Sequence, residues 1–242
     1  MKNIIPVILL ATFSQNVFSD DYGGDVDVSS FSVYGLKLGM NEKEALNEIS
    51  KKTGLSLKEI ENKVSVNEEY PIRGLSYSYG IRQYNIYIRS DKDPEDNDAI
   101  KQISATFMPA LVGENIESVV AHVKYKIPAT KANIKSSNEN AISKWGKPSY
   151  STSQTGVSYG VGISIDNIWC VLNKKRENNK QSFCEKNKPV ISYSVSNVIN
   201  IELDNMVYYK GNIEKIFKEL KKREDEEAEK AHEENNKFDA DF

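Results

Sequence analysis

Apolar and polar residues alternate along residues 191–203, and this pattern constrains the fold more than any other stretch of the chain. The apolar set is Ile191, Tyr193, Val195, Ile199, Ile201 and Leu203, and the polar set is Ser192, Ser194, Ser196, Asn200 and Glu202. A period of two is typical of a strand with one buried face. Asn197 and Val198 interrupt the order, which indicates a bulge or bend there. A hydrophobic core must therefore cover one face of this strand.

Cys170 and Cys184 precede this strand, and the chain has no other cysteine. In an oxidising compartment each has one natural partner, so we predict a disulfide. It would close a loop of about 15 residues and contribute about 3 kcal/mol in the chain-entropy model. Free or metal-binding thiols are the alternative, but no neighbouring His or second Cys pair completes a tetrahedral site. We therefore expect a disulfide, no metal and no cofactor.

The N-terminal segment indicates export. Lys2 precedes an apolar run over residues 4–11, which is too short to span a bilayer. Val17 and Ser19 lie where a signal peptidase requires small residues, so we expect a signal peptide over residues 1–19 and a periplasmic mature chain. A buried N-terminal helix is the alternative. No later run approaches the length of a membrane span, so none is expected.

Two helices have clear start signals. Asn41 followed by Glu44 has the spacing of a capping box, and Gly54 supplies the C-terminal turn of this first helix. Ser56 with Glu59 repeats the box at once, which predicts a second helix. A third amphipathic helix is predicted over residues 134–145.

Strands are predicted on both sides of the third helix. The same alternation places them at 75–79, 84–88, 103–107 and 119–127 before it, and at 157–159, 163–172 and 191–203 after it. A last short strand is expected at 206–209, and a C-terminal helix is expected from Asn212. We therefore predict an α+β fold: an antiparallel sheet with helices packed on one side, two helix-plus-meander repeats and a C-terminal helical extension.

This reading divides the mature chain into four parts. They are a flexible leader over 20–30, a first α+β repeat over 31–128, a second repeat with the disulfide over 129–220 and a charged tail over 221–242. The tail carries five basic and nine acidic side chains. It is either a solubilising end or a contact for a basic partner, and the first is the simpler interpretation.

Two short segments resemble a known family. Residues 31–45, FSVYGLKLGMNEKEA, are similar to the strand, G-hydrophobic-x-L-G-M and helix opening of many exported bacterial proteins, and residues 143–148, SKWGKP, resemble their K-Y/W-G-x-P helix end. Together they resemble the repeat of the β-lactamase-inhibitor-protein-like fold, and more distantly small lipoproteins of outer-membrane barrel assembly, whose lipobox cysteine this chain lacks. The resemblance implies a helix-and-sheet repeat whose sheet surface binds other proteins without catalysis.

Common catalytic and metal-binding patterns are missing from the sequence. It has no H-E-x-x-H helix, phosphate loop or dinucleotide fingerprint. Its two histidines, His122 on the polar face of a predicted strand and His232 in the tail, leave no good base for a nucleophile. The acidic cluster over 91–98 departs from a calcium loop at Asp96 and Gln102, so we interpret it as a solvated loop. A net charge of −3 gives no support to nucleic-acid binding.

Tyrosine with small polar neighbours indicates where a protein partner could bind. Such residues concentrate over 74–90 and 152–163. The candidate partner-binding residues are Tyr77, Tyr79, Tyr87, Arg89 and Tyr159. Ordinary strands with aromatic cross-strand pairs are the alternative interpretation.

The function expected from these observations is binding rather than catalysis. We predict a non-enzymatic periplasmic protein that binds another protein, most specifically an inhibitor or immunity protein neutralising an envelope-acting toxin or hydrolase. A housekeeping factor of envelope assembly or maintenance is the first alternative, and an unrecognised hydrolase is the second.

Overall fold

The computed structural model describes residues 18–72, 76, 78–88, 101–113, 115–155, 162–173 and 183–240. Its strands are β1 (Phe18–Tyr22), β2 (Ser32–Val33), β3 (Leu36–Lys37), β4 (Val64–Pro71), β5 (Ser78–Ile88), β6 (Lys101–Val112), β7 (Asn115–Pro128), β8 (Tyr150–Thr155), β9 (Ile163–Trp169), β10 (Val190–Val195) and β11 (Val198–Asp204). Its helices are α1 (Glu42–Thr53), α2 (Leu57–Glu61), α3 (Lys131–Trp145) and α4 (Met206–Ala240).

Two four-stranded meanders and the edge strand β1 form the large sheet. The nine strands follow the order β1-β8-β9-β10-β11-β7-β6-β5-β4, and β2 and β3 form a separate hairpin. Each meander follows its own helices, and the last strands of the two, β7 and β11, pair antiparallel at the centre. The predicted α+β fold with two helix-plus-meander repeats is confirmed.

The first two helices begin where their capping residues predict. The Asn41 side chain accepts a hydrogen bond from the Glu44 N–H at 2.9 Å, and Gly54 ends α1 in the left-handed conformation at φ 74°. Ser56 and Glu59 form the reciprocal capping box of α2. These local contacts direct one apolar face of α1 toward the sheet, with Ala45, Leu46 and Ile49 buried.

The main core lies between the sheet and helices α1, α2 and α3. Ile191, Tyr193 and Trp169 from β9 and β10 are fully buried in it. Trp169 donates its indole N–H to the carbonyl oxygen of Gly146 at 2.9 Å, just after α3 ends. The Tyr193 hydroxyl lies 2.8 Å from the Ser137 hydroxyl of α3. Trp169 and Tyr193 therefore have partners for their buried polar atoms, whereas the indole N–H of Trp145 has none among the described residues.

The C-terminal helix packs on the opposite face of the sheet. Ile213 and Phe217 of α4 form a second, smaller core with Ile81, Met108 and Ala121 from β5, β6 and β7. This contact covers one end of the first meander, and the rest of α4 continues as a charged helix. None of the described helices is long and apolar enough to cross a membrane.

Residues 191–203 form a hairpin, and the prediction of one bent strand is wrong. β10 and β11 pair antiparallel, with Val195 opposite Ile199 and Ile191 opposite Leu203. Because partners in this register are both odd-numbered, the apolar positions stay on one face after the chain reverses. The alternation therefore continues through the turn at Ser196 and looks like a single strand in the sequence.

The short strand predicted at 206–209 is also wrong, because these residues are the first turn of α4. The helix therefore begins six residues before Asn212. Asp204 accepts a hydrogen bond from the Met206 N–H at 3.0 Å, and such a contact satisfies a free donor at a helix start.

Residues 20–30, expected to be a flexible leader, contact the body of the protein. The Gly23 N–H donates to Ser149 O and the Val26 N–H to Cys170 O, both at 2.9 Å. Val28 is fully buried in the main core. Cleavage before Asp20 remains a prediction, and it would leave residues 20–22 of β1 paired with β8.

β4 has no counterpart among the predicted strands. Its sequence, VSVNEEYP, is polar and lies at the edge of the sheet, where no apolar face is required. The strand predicted at 157–159, residues 75 and 77 of the one at 75–79 and the acidic cluster at 91–98 lie outside the described residues.

Candidate functional site

The face of the sheet opposite α1, α2 and α3 is polar, and we call its part beyond the α4 contact the uncovered face. Among the described elements, α4 is the one that packs on this side, and it reaches the Ile81, Met108 and Ala121 end of the first meander. The uncovered face consists of alternate residues of seven strands: Tyr150, Thr152, Asp166, Ile168, Ser192, Ser194, Asn200, Glu202, His122, Lys124, Lys126, Gln102, Ser104, Thr106, Gln83, Asn85 and Tyr87.

Antiparallel pairing arranges these side chains in rows across the strands. One row runs Ile168, Ser192, Glu202, Lys124, Ser104 and Asn85, and the next runs Thr152, Asp166, Ser194, Asn200, Lys126, Gln102 and Tyr87. Directly opposite residues on one face lie close enough for their side chains to interact. The uncovered face is therefore a continuous surface that crosses the junction between the two meanders.

At the β4–β6 end of this surface, amides and hydroxyls hold one another in place. Gln83 donates from Nε2 to the Ser104 hydroxyl at 2.7 Å, and Asn85 donates from Nδ2 to the Ser65 hydroxyl at 2.8 Å. Side chains with partners in the free protein lose less conformational freedom when a ligand arrives. This end of the face is therefore preorganised.

A charged cluster occupies the centre, where β11 meets β7. His122 Nε2 lies 3.8 Å from Glu202 Oε2, and Lys124 forms a salt bridge with the same carboxylate. The contacts from His122 and Lys124 lower the pKa of Glu202 to about 2. Because 3.8 Å exceeds hydrogen-bond length, Lys124 is the closer partner. Glu202 is therefore a paired carboxylate at neutral pH.

The β8–β11 end contains a recess of about 570 Å³, which we call the acidic recess. Its lining includes Tyr150, Asp166, Phe183, Ser194 and Glu202. The rings of Tyr150 and Phe183 are stacked with centroids 4.7 Å apart. Burial raises the pKa of the Asp166 carboxyl above its usual value. In the described parts of the chain, no three His, Cys, Asp or Glu side chains are grouped closely enough to hold a metal ion.

The predicted disulfide between Cys170 and Cys184 is confirmed, with a Cα–Cα distance of 5.7 Å. Beside it, the Asn173 N–H donates to Phe183 O at 2.8 Å and the Glu185 N–H donates to Val171 O at 2.9 Å. These contacts fix the backbone on both sides of Cys184. The disulfide therefore helps to place the Phe183 ring at the edge of the acidic recess.

The described candidate residues from the sequence lie in different environments. Tyr87 is on the uncovered face, and 57% of its surface is exposed. Tyr79 packs against the smaller core, and its ring stacks on Tyr70 with centroids 5.3 Å apart. Tyr77, Arg89 and Tyr159 lie outside the described residues, so the grouping of the predicted set stays a prediction.

Sequence reasoning missed the charged groups of the uncovered face. Glu202 occupies a polar position of the 191–203 alternation, and Asp166 occupies one in the 163–172 stretch. Those positions could have identified both as surface residues. Glu202 lies near Lys124, and Asp166 lies near Phe183, because strands far apart in the sequence pair with each other. The alternation of apolar and polar residues does not specify which strands pair.

Comparisons with known proteins give no match. No family model matches the sequence, and neither a curated protein nor a solved structure shows significant similarity to the chain. The function of the uncovered face is therefore inferred from its own residues.

Proposed function

We propose that this chain is an exported, non-enzymatic protein that binds another protein through the uncovered face of its sheet. The observation that carries the proposal is the continuity of that face across seven strands, from Tyr150 on β8 to Tyr87 on β5. An ordered sheet face suits a partner that is itself rigid.

The size of the uncovered face supports a protein partner. Seven strands spaced about 4.8 Å apart span about 29 Å, and the two rows of side chains that cross them cover about 14 Å along the strands. The footprint of roughly 400 Å² is about half of the roughly 800 Å² that each partner contributes to a standard interface. A small molecule would use a small part of this area.

The chemistry of the face also supports protein recognition. Tyr87 at one end and Tyr150 with Phe183 at the other supply aromatic contact area, and the centre supplies charged and hydroxyl groups. Aromatic anchors surrounded by polar groups are typical of protein interfaces. In its most specific form, the proposal is an inhibitor or immunity protein that neutralises an envelope-acting toxin or hydrolase. The resemblance to the β-lactamase-inhibitor-protein-like fold and the expected signal peptide support this form.

Affinity capture with matched variants tests the proposal. The tagged mature chain is expressed in its own cells, and proteins retained after a salt wash are identified by mass spectrometry. We expect one stoichiometric partner, and we expect Tyr87→Ala to weaken its binding at least tenfold. Tyr208→Ala is the matched control, because Tyr208 is a tyrosine of α4 that is 45% exposed and lies off the uncovered face.

The identity and behaviour of the partner decide between the alternatives. A toxin or hydrolase whose activity falls when the chain is added would support the inhibitor form. Capture of barrel-assembly or cell-wall proteins would favour the housekeeping alternative. A partner that is lost with Tyr208→Ala but retained with Tyr87→Ala would contradict binding through the uncovered face.

A further inference from the structure

Asp166 differs from Glu202, the other carboxylate of the uncovered face, because it has no partner among the described residues. Its direct neighbours across the strands are Thr152 on β8 and Ser194 on β10. Glu202, by contrast, contacts both Lys124 and His122. In the described part of the chain, no cation and no hydrogen-bond donor contacts the Asp166 carboxylate.

The position of Asp166 makes this lack of a partner energetically unfavourable. The side chain is half-buried in the acidic recess, and burial raises the pKa of its carboxyl. A partly desolvated carboxylate is destabilised until a cation or several donors approach it. The recess therefore offers more favourable electrostatics to a positively charged group than to a neutral one.

The aromatic pair beside Asp166 indicates which kind of cation fits. Tyr150 and Phe183 stack with an interplanar angle of 22° and line the same recess as the carboxylate. A guanidinium group is planar, stacks on aromatic faces and donates several hydrogen bonds in fixed directions. The hydroxyls of Thr152 and Ser194 can accept hydrogen bonds from the guanidinium N–H groups that do not donate to Asp166. An ammonium group is also attracted to an aromatic face, but it cannot stack flat on the ring or donate in the same fixed directions.

We propose that the acidic recess binds the guanidinium group of an arginine side chain presented by a protein partner. The source of that arginine, a protein partner, rests on the proposed function. The ability of the recess to bind a guanidinium group does not depend on that function. Arginine is enriched among the residues that contribute most to protein interfaces, and a recess of about 570 Å³ has room for its side chain.

Small probes test the recess without any knowledge of the partner. The mature chain is titrated with N-acetyl-arginine methylamide, and backbone amide shifts are followed by NMR at constant ionic strength. The citrulline derivative has the same shape without the charge, and the lysine derivative has the charge without the planar group. We expect the arginine derivative to shift amides of β8, β9 and β10, and the lysine derivative to bind more weakly. The citrulline derivative should bind at least tenfold more weakly.

A matched pair of variants identifies the carboxylate responsible. Asp166→Asn keeps the shape of the side chain and removes its charge, so binding of the arginine derivative should fall about tenfold or more. Glu117→Gln removes a carboxylate of β7 that does not line the recess, so binding should be unchanged. Circular dichroism checks that both variants are folded. Equal binding of the arginine and citrulline derivatives, or no shifts up to roughly 50 mM probe, would overturn the inference. Binding of N-acetylglucosamine at the same amides in preference to the arginine derivative would also overturn it.

Binding of the captured partner to the two variants distinguishes a failure of this inference from a failure of the proposed function. If Tyr87→Ala weakens binding of the partner and Asp166→Asn does not, the arginine inference is wrong and binding through the uncovered face stands. If the arginine derivative binds the recess but no protein is captured, the proposed function is wrong and the guanidinium site stands.

Discussion

The two faces of the large sheet come from the same strands but differ in what their side chains contact. On β10, Ile191 and Tyr193 are fully buried under α3, whereas Ser192 and Ser194 point to the uncovered face. The covered face gains its stability from apolar burial. On the uncovered face, Gln83, Asn85, Lys124 and Glu202 have polar partners, whereas no described residue pairs with Asp166. The comparison indicates that alternate residues of each strand divide into a set that stabilises the core and a set that forms the polar surface.

The prediction with the largest expected effect compares alanine substitutions at two neighbouring residues, one on each face of the sheet. Ile191→Ala removes a fully buried side chain from the main core, and we expect it to lower the free energy of unfolding by about 4 kcal/mol. Ser192→Ala changes the uncovered face, and we expect an effect within about 0.5 kcal/mol. Urea denaturation measures both. Similar losses in the two variants would show that the faces do not differ in this way.

The disulfide joins the buried Cys170 to Cys184, which follows a residue of the acidic recess. Replacing both cysteines with alanine should lower the free energy of unfolding by about 3 kcal/mol, because the unfolded chain regains the freedom of a closed loop. Urea denaturation measures the change, and a reducing agent should destabilise the wild type but leave the variant unaffected. If the disulfide also places Phe183, the double variant should bind the arginine derivative more weakly.

Substitution of Glu202 is expected to change the free energy of unfolding least of the three. Its effect comes from the uncovered face alone. Its pKa is lowered from 4.5 to about 2, so its pairing stabilises the fold above pH 4.5 and this contribution is lost as the pH falls toward 2. After allowance for solvent screening, we expect Glu202→Gln to cost about 1 kcal/mol at neutral pH and almost nothing near pH 2. Urea denaturation at several pH values measures the difference, and a difference that stays constant with pH would contradict it.

Local signals in the sequence predict much of the fold. Asn41, Glu44 and Gly54 define α1 because capping depends on residues close together in the chain. The alternation over 191–203 predicts which residues face the core, but it does not reveal the hairpin, because the register keeps odd positions on one face. The start of α4 was missed because Val207, Tyr208 and Tyr209 favour strands, while the capping contact from Asp204 favours a helix.

The candidate site could be predicted less well, for a physical reason. Alternation marks Asp166 and Glu202 as surface positions, but only the pairing of β9 with β10 and of β11 with β7 decides what stands beside each carboxylate. Glu202 gains Lys124 in this way, and Asp166 gains two hydroxyl side chains. A paired carboxylate and an unpaired one are therefore indistinguishable until the strand register is known.

The polar edge strand β4 has a consequence for the behaviour of the protein at high concentration. β4 ends the nine-stranded sheet, so its outer backbone groups are open to strands from other molecules. Glu68 and Glu69 place negative charge along this edge, and Pro71 lacks the N–H that a further strand would need. Two copies that approach through β4 therefore repel each other. The charge and the proline of this edge therefore oppose aggregation of the protein into longer sheets.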